Sequence, residues 1–353
     1  MKKLLFASSS AADKFNAMLE AFGAIAGLDV VAVHRLRQTT DYYQRPLSLS
    51  TKLFEKLKIP RDAERHNSRL LKAARVMGPD AVFVVKGNHI RPSTLQKLAA
   101  LPSRPVLISW SQDDMFARHN RSAYYTRGLR LFDLVVTQKS YNLDLQELPS
   151  LGARKLLFQN KAFSPLVHYR TAHHPDFSHD VLFVGTAETE RFELMNALAH
   201  RGIKIHIYGS GWDKAPYRDT AHENLRINNR NLLAETYAQA ISSARICLGF
   251  LRKQNRDRQT SRTVEIPACG GFMLAEASEE QAALFAPNKE AAYFSTVDEA
   301  EASIRYFLAH DAARKAIADA GYAKSRSADY SYDARAREIL DTASRIRAFS
   351  IRN

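Results

Sequence analysis

Glu265 follows Arg262 by three residues and Arg258 by seven, in the segment Arg262–Gly271, which ends in Gly270-Gly271. A carboxylate at Glu265 can accept two hydrogen bonds from a ribose diol. Arg258 and Arg262, one turn apart if that stretch is already helical, can face a diphosphate together. Gly270 and Gly271 allow a sharp turn and a close backbone approach where a side chain would intrude. A ligand that combines phosphate with sugar hydroxyls, such as a nucleotide sugar, suits this set. The same residues would also serve a plain helix end, capped by glycine with its arginines in solvent.

A second group could move a proton. Asp113 and Asp114 follow the apolar run Val106–Trp110. One could accept the proton of an acceptor hydroxyl while the other orients it, or the pair could simply cap a helix. His89, in Lys86-Gly87-Asn88-His89, is the competing base. No two aspartates are spaced D-x-D, so the expectation is a metal-independent site in which arginines stabilise the departing diphosphate. No full G-x-G-x-x-G occurs, which gives no support to a nicotinamide cofactor. Cys247 and Cys269 are the only cysteines and lack CxxC or Cys/His ligand spacing, which fits a reducing compartment without structural zinc.

These residues need elements to hold them. Short apolar runs alternate with helical stretches, the pattern of parallel sheets covered on both faces. In the first half the expected strands are Lys3–Ala7, Asp29–Val33, Ala81–Val85, Val106–Trp110, Leu134–Thr137 and Lys155–Phe158. Helices are expected over Ala11–Ala24, Pro92–Ala100 and Lys139–Leu148. Ligands in such sheets bind beyond the carboxyl ends of strands, which points to Ser8-Ser9-Ser10, Lys86–His89 and Ser111–Asp114. A second series starts with Asp180–Thr186, a strand entering a turn, followed by a helix over Glu190–His200. There Gly185 and Thr186 would offer backbone N–H groups to donor phosphates, with Arg191 one turn into the helix. Tyr208-Gly209-Ser210-Gly211-Trp212 ends the next strand and could line a base pocket with backbone groups and an aromatic face. A helix near Leu232–Ser243, strands at Ile246–Phe250 and Ala291–Ser295, and a mainly helical stretch from Val297 follow, with a break at Tyr330-Ser331-Tyr332.

Composition bounds the answer. A chain of 353 residues, 45% apolar, can build about two ordinary domains. The opening Met1–Ala7 has a charge pair but too short an apolar run for a signal peptide, and nothing approaches the length of a membrane span. A cytoplasmic protein is expected. Residues 1–165 hold 26 Lys and Arg against 13 Asp and Glu, whereas residues 166–353 hold 25 against 24. The basic excess of the first half, concentrated in Lys52–Arg75, suits an anionic acceptor or the inner face of a membrane. No nucleic-acid motif accompanies it.

The segment Arg262–Gly271, in its place after Cys247-Leu248-Gly249-Phe250, resembles the donor half of glycosyltransferases of the GT-B type, the CgeB-like group of spore maturation proteins in particular. The resemblance covers roughly residues 180–345 well and the first half more loosely. It implies an α/β fold of two Rossmann-like parallel-sheet domains facing an interdomain cleft. The domains would be an acceptor side over 1–165, a linker over 166–179, a donor side over 180–330 and a terminal helix over 331–353 that packs back on the first domain. It maps the ribose-binding acid onto Glu265 and a second acid, eight residues earlier, onto Asp257, where Asp replaces the usual longer Glu. It implies transfer of a sugar from a UDP-, GDP- or dTDP-sugar, with no resident cofactor, to a glycan, lipid or protein acceptor in surface glycan assembly. Two other readings remain: a nucleotide-sugar epimerase of the same fold, and a non-catalytic binder of an anionic polymer or nucleic acid.

Overall fold

The computed structural model describes residues 1–8, 16–34, 54, 59–60, 62 and 65–352. Ser9-Ser10, the start of the helix expected over Ala11–Ala24, and most of the basic run from Lys52 up to Arg65 lie outside the described residues. The chain forms two compact units, one of residues 1–160 and 332–353, the other of residues 161–331.

The first unit is built on a parallel sheet of β1 (Lys3–Ser8), β2 (Asp29–His34), β3 (Ala81–Val85), β4 (Val106–Ser111), β5 (Leu134–Thr137) and β6 (Leu156–Phe158) in the order β2-β1-β3-β4-β5-β6. Its central strands are unbroken apolar runs because helices cover both faces; β3 and β4 are buried at every position. The covering helices are α1 (Asn16–Gly23), α2 (His66–Met77), α3 (Pro92–Ala99) and α4 (Ala123–Gly128). The helix expected over Lys139–Leu148 is instead two 3-10 turns, Ser140–Leu143 and Leu148–Leu151. Thr137 Oγ1 accepts from the Lys139 N–H and donates to the Asn142 side-chain oxygen, which closes the first turn tightly. Asp144, with ψ 143°, and Glu147, with ψ −125°, leave the helical region between the two turns, so the turns do not join.

The second unit carries β7 (Val181–Val184), β8 (Ile205–Tyr208), β9 (Leu225–Asn228), β10 (Ile246–Gly249), β11 (Met273–Glu276) and β12 (Ala292–Phe294), all parallel, in the order β12-β11-β10-β7-β8-β9. Its helices are α5 (Thr189–His200), α6 (Tyr217–Thr220), α7 (Ala234–Ser243), α8 (Ser261–Ala268), α9 (Glu279–Leu284), α10 (Val297–Ala309) and α11 (Asp311–Ser327). One apolar cluster, with Phe183, Met195 and Phe272, fills one face of the sheet, and another, with Val184, Ile241 and Met273, fills the other. Strand order reverses between β7 and β10. In open sheets of this kind ligands bind at that switch point, outside the carboxyl ends of the strands.

The last helix, α12 (Tyr332–Arg352), belongs to the first unit, where Ala336, Ile339 and Ala343 are buried and it packs against α1. Arg347 pairs with Asp80 at 2.9 Å, and Tyr332 Oη accepts from the Gln112 side chain at 2.8 Å. Among the described residues no helix is long and apolar enough to cross a membrane.

Candidate functional site

Glu265 lies on α8, just after the switch point, and is 8% exposed. Three elements converge on its carboxylate. Arg262, one turn earlier, donates to Oε2 through Nη1, Tyr237 of α7 donates to the same oxygen at 3.2 Å, and His168 Nε2 stands 3.7 Å from Oε1. Burial pushes the carboxyl pKa up, but the charge of Arg262 and the hydrogen bonds from Arg262 and Tyr237 outweigh it. The acid is held below its ordinary range.

Arg262 links this acid to the strand ends. Its Nε donates to the carbonyl of Val184, the last residue of β7, at 2.9 Å, and its guanidinium lies 4.8 Å from the Tyr237 ring centre. Arg191, at the start of α5, is 8% exposed and donates to the Thr186 carbonyl at 3.3 Å, while its Nε has no partner among the described residues. Burial lowers the Arg191 pKa, Glu188 opposes that, and the charges of Arg252 and Arg262 lower it further. Arg252, just beyond β10, pairs with Glu188 at 2.6 Å. Three arginines thus crowd the turn after Val184, at the place where strand order reverses. Sequence reasoning missed Arg252. Its position two residues past an apolar strand was the signal that could have found it.

The glycines divide by role. Gly209 has φ +149°, and a Cβ there would meet the Gly185 carbonyl at 1.9 Å. That absence lets the Gly209–Trp212 loop lie against the Gly185–Ala187 turn, where the Ala187 N–H donates to Ser210 at 3.0 Å. Trp212, read from sequence as an aromatic face for a base, is 1% exposed, with Phe183 and Tyr217 ring centres 6.1 and 5.7 Å away. Tyr208 is likewise buried, its Oη 3.2 Å from His179 Nε2. Trp212 supports the turn, whereas the Tyr208 ring packs against Phe177 and His179. Gly211, with φ +88°, sits beside Ala187. Gly270 and Gly271 serve packing: a Cβ at Gly270 would strike the Arg170 guanidinium and one at Gly271 would strike Ile241.

Arg258 is not on the helix with Arg262. α8 starts at Ser261, and Arg258 precedes it in a bend, more than half exposed and 3.9 Å from Glu280. Asp257 lies in the same loop, accepting from the Asn255 side chain at 2.9 Å.

In the first unit, Asp113 and Asp114 part company. Asp114 is fully buried, and its Oδ1 accepts the N–H groups of Phe116 and Ala117 at 3.1 and 3.3 Å, the bonding of a turn cap. Asp113 is partly exposed and forms an ion pair with Lys86. The pair joins the carboxyl ends of neighbouring strands β3 and β4, and Lys86 holds a left-handed backbone, φ 60°, at that strand end. His89 lies in the same loop, where its carbonyl accepts from Asn67 at 2.9 Å. Among the described residues no group of three or more His, Cys, Asp or Glu side chains is placed to hold a metal ion.

His168 was not singled out from the sequence; its side chain is only 12% exposed because Ser164, Tyr237 and Arg326 enclose it.

Two six-stranded parallel sheets with flanking helices, the second in the order that reverses at β7/β10, constitute the GT-B fold. Solved structures agree. Sucrose-phosphate synthase from Thermosynechococcus elongatus is 12% identical with a TM-score of 0.69, covering 99% of this chain and 100% of its own. A glycosyltransferase from Rickettsia africae ESF-5 is 10% identical with a TM-score of 0.68 over 98% of each chain. HepE from Anabaena, solved in complex with UDP-glucose, is 11% identical with a TM-score of 0.65, covering 97% of this chain and 99% of its own. Residues 191–341 match the family model described as glycosyl transferase-like. No curated protein matches the chain in sequence.

Proposed function

We propose that the chain transfers a sugar from a nucleotide-sugar donor to an acceptor hydroxyl. The observation that carries this reading is the convergence of Arg191, Arg252 and Arg262 with Glu265 around the turn after Val184. Like charges crowd there beside an acid suited to a diol, and a diphosphate joined to a ribose answers both. Glu265 takes the ribose; the three arginines and the Gly185–Thr186 backbone take the diphosphate and stabilise it as it leaves, without a metal. The complex of HepE with UDP-glucose supports a nucleotide-sugar ligand.

The first unit supplies the acceptor side. Asp113 is the base: it is partly exposed, and its ion pair with Lys86 holds it at the carboxyl ends of β3 and β4. The CgeB-like subgroup, a hexosyl donor carried by UDP, GDP or dTDP, and an anionic or membrane-associated acceptor at the inner face of the membrane complete the reading.

Thermal stabilisation by a panel of nucleoside diphosphates and nucleotide sugars, with and without chelator, tests it. One nucleotide that raises the melting temperature equally in both conditions is the expected result. No shift with any of them removes the donor site. Product analysis with donor alone then separates transfer from epimerisation, since only an epimerase turns the donor into an epimeric sugar without an acceptor.

A further inference from the structure

The two oxygens of Glu265 are not equivalent. Oε2 is taken, by Arg262 and by Tyr237 at 3.2 Å. Among the described residues no hydrogen bond reaches Oε1, and its neighbour His168 Nε2, at 3.7 Å, is beyond hydrogen-bond length. The His168 ring is fixed in orientation. Its Nδ1 accepts the Ser164 N–H at 3.0 Å, so a neutral ring carries its proton on Nε2, the nitrogen nearer Oε1. Burial lowers the His168 pKa more than Glu265 raises it, which keeps the ring neutral at neutral pH. Tyr237 stands edge-on to the ring at 5.5 Å, and Arg326 Nη2 donates to the His168 carbonyl at 2.9 Å.

A donor N–H and an acceptor oxygen are therefore held 3.7 Å apart by groups that cannot easily close the gap. An oxygen atom about 2.8 Å from each completes two ordinary hydrogen bonds. Among the groups a nucleotide sugar offers, a hydroxyl satisfies both and can take the place of a water there, because it accepts from Nε2 and donates to Oε1. A carbonyl or ether oxygen would leave Oε1 unanswered, an ammonium would leave Nε2 unanswered, and a methylene would answer neither.

We infer that His168 is a specificity-determining residue of the donor site: its Nε2–H and Glu265 Oε1 together receive one ribose hydroxyl, so the site selects ribonucleoside diphosphates over their deoxy counterparts. This rests on Glu265 as the ribose acid and adds a second residue that discriminates the sugar. A dTDP-linked donor, which lacks the 2′-hydroxyl, is disfavoured if the bridged hydroxyl is that one.

Calorimetric titration tests the inference with UDP and GDP, and then with the 2′-deoxy and 3′-deoxy forms of whichever binds. The proteins are wild type, His168→Ala, His168→Gln and Glu265→Gln. Wild type should favour the ribonucleotide over one deoxy form by roughly tenfold or more, the worth of hydrogen bonds to a carboxylate. His168→Ala should bring that ratio close to one while leaving affinity for that deoxy form nearly unchanged, and His168→Gln, which keeps an N–H donor, should restore part of it. Equal affinity of wild type for all three forms overturns the inference without recourse to any variant. So does a His168→Ala protein that keeps the full ratio or weakens every nucleotide equally. A ratio abolished by Glu265→Gln but kept by His168→Ala leaves the donor site standing and removes only the role of His168. Failure of UDP and GDP to bind wild type removes both readings together.

Discussion

The Trp212 indole N–H donates to the Gly185 carbonyl at 2.9 Å, so a side chain at the end of the second strand of its unit holds the turn that follows the first. That turn also receives the Gly209 loop, and Arg262 and Arg191 bond to the carbonyls of Val184 and Thr186 on either side of Gly185. Its shape is set from behind by a buried aromatic and from in front by cations.

Replacing Trp212 with Phe should cost about 1–2 kcal/mol of stability, because the Gly185 carbonyl loses its indole donor. Nucleoside diphosphate affinity should fall as the turn loosens. Chemical denaturation and calorimetry read the two effects. Replacing Gly209 with Ala should cost more, since the added Cβ would meet backbone at 1.9 Å.

Glu265→Gln should weaken nucleotide binding by roughly tenfold or more. It should also lower stability by about 1–3 kcal/mol, because a half-buried Arg262 loses its counter-charge. Unchanged affinity for every nucleotide would remove Glu265 from the donor site.

The two neighbouring aspartates should separate in a kinetic assay. Asp113→Asn is expected to lower turnover by about a hundredfold or more with the melting temperature nearly constant, because Asp113 is the proposed base. Asp114→Asn should lower stability by about 1–2 kcal/mol through the weakened turn cap, with the smaller effect on turnover in the protein that remains folded. The reverse pattern would move the base to Asp114.

Acid should destabilise the second unit through His179. Its ring stacks on His206 at 3.7 Å between centroids, and burial, then the neighbouring His206, lowers its pKa to about 4. Unfolding returns it to an ordinary value near 6.5. Because the folded value is the lower one, the stabilisation is fully present above pH 6.5 and is lost as pH falls towards 4. With the ring about half exposed, solvent screening keeps the effect near 1 kcal/mol. Denaturation curves of wild type and His179→Gln between those limits should converge as pH falls.

Neither cysteine should react with a thiol reagent in the folded protein. Burial pushes the Cys247 thiol up to about 12 and raises Cys269 as well, so thiolate is scarce and access is closed. Both should titrate on unfolding, and labelling of the native protein would count against the packing described for α8.

Much of the fold is legible in order along the chain. Uninterrupted apolar runs such as Ala81–Val85 mark strands buried on two sides, and all six strands of the first unit lie where such runs fall. β9 was not anticipated from sequence, since Leu225-Arg226-Ile227-Asn228 alternates as a half-exposed edge strand does and is only four residues long. The site was legible in part. Glu265, Arg262 and Arg191 do gather, whereas Arg258 does not, because helix α8 begins only after it.

Residue type and spacing alone determined that the chain alternates strands with helices, that an acid and an arginine stand one turn apart before a double glycine, and that an aspartate pair follows an apolar strand. Those are local properties, fixed by periodicity and by backbone reach. Only the tertiary structure decided that Arg252 and Arg191 share one turn, that Trp212 faces the core, that Asp114 is spent on a cap while Asp113 is not, and that His168 stands beside Glu265. Each of these joins residues far apart in sequence or depends on burial. Strand order and packing, which no local pattern encodes, set both.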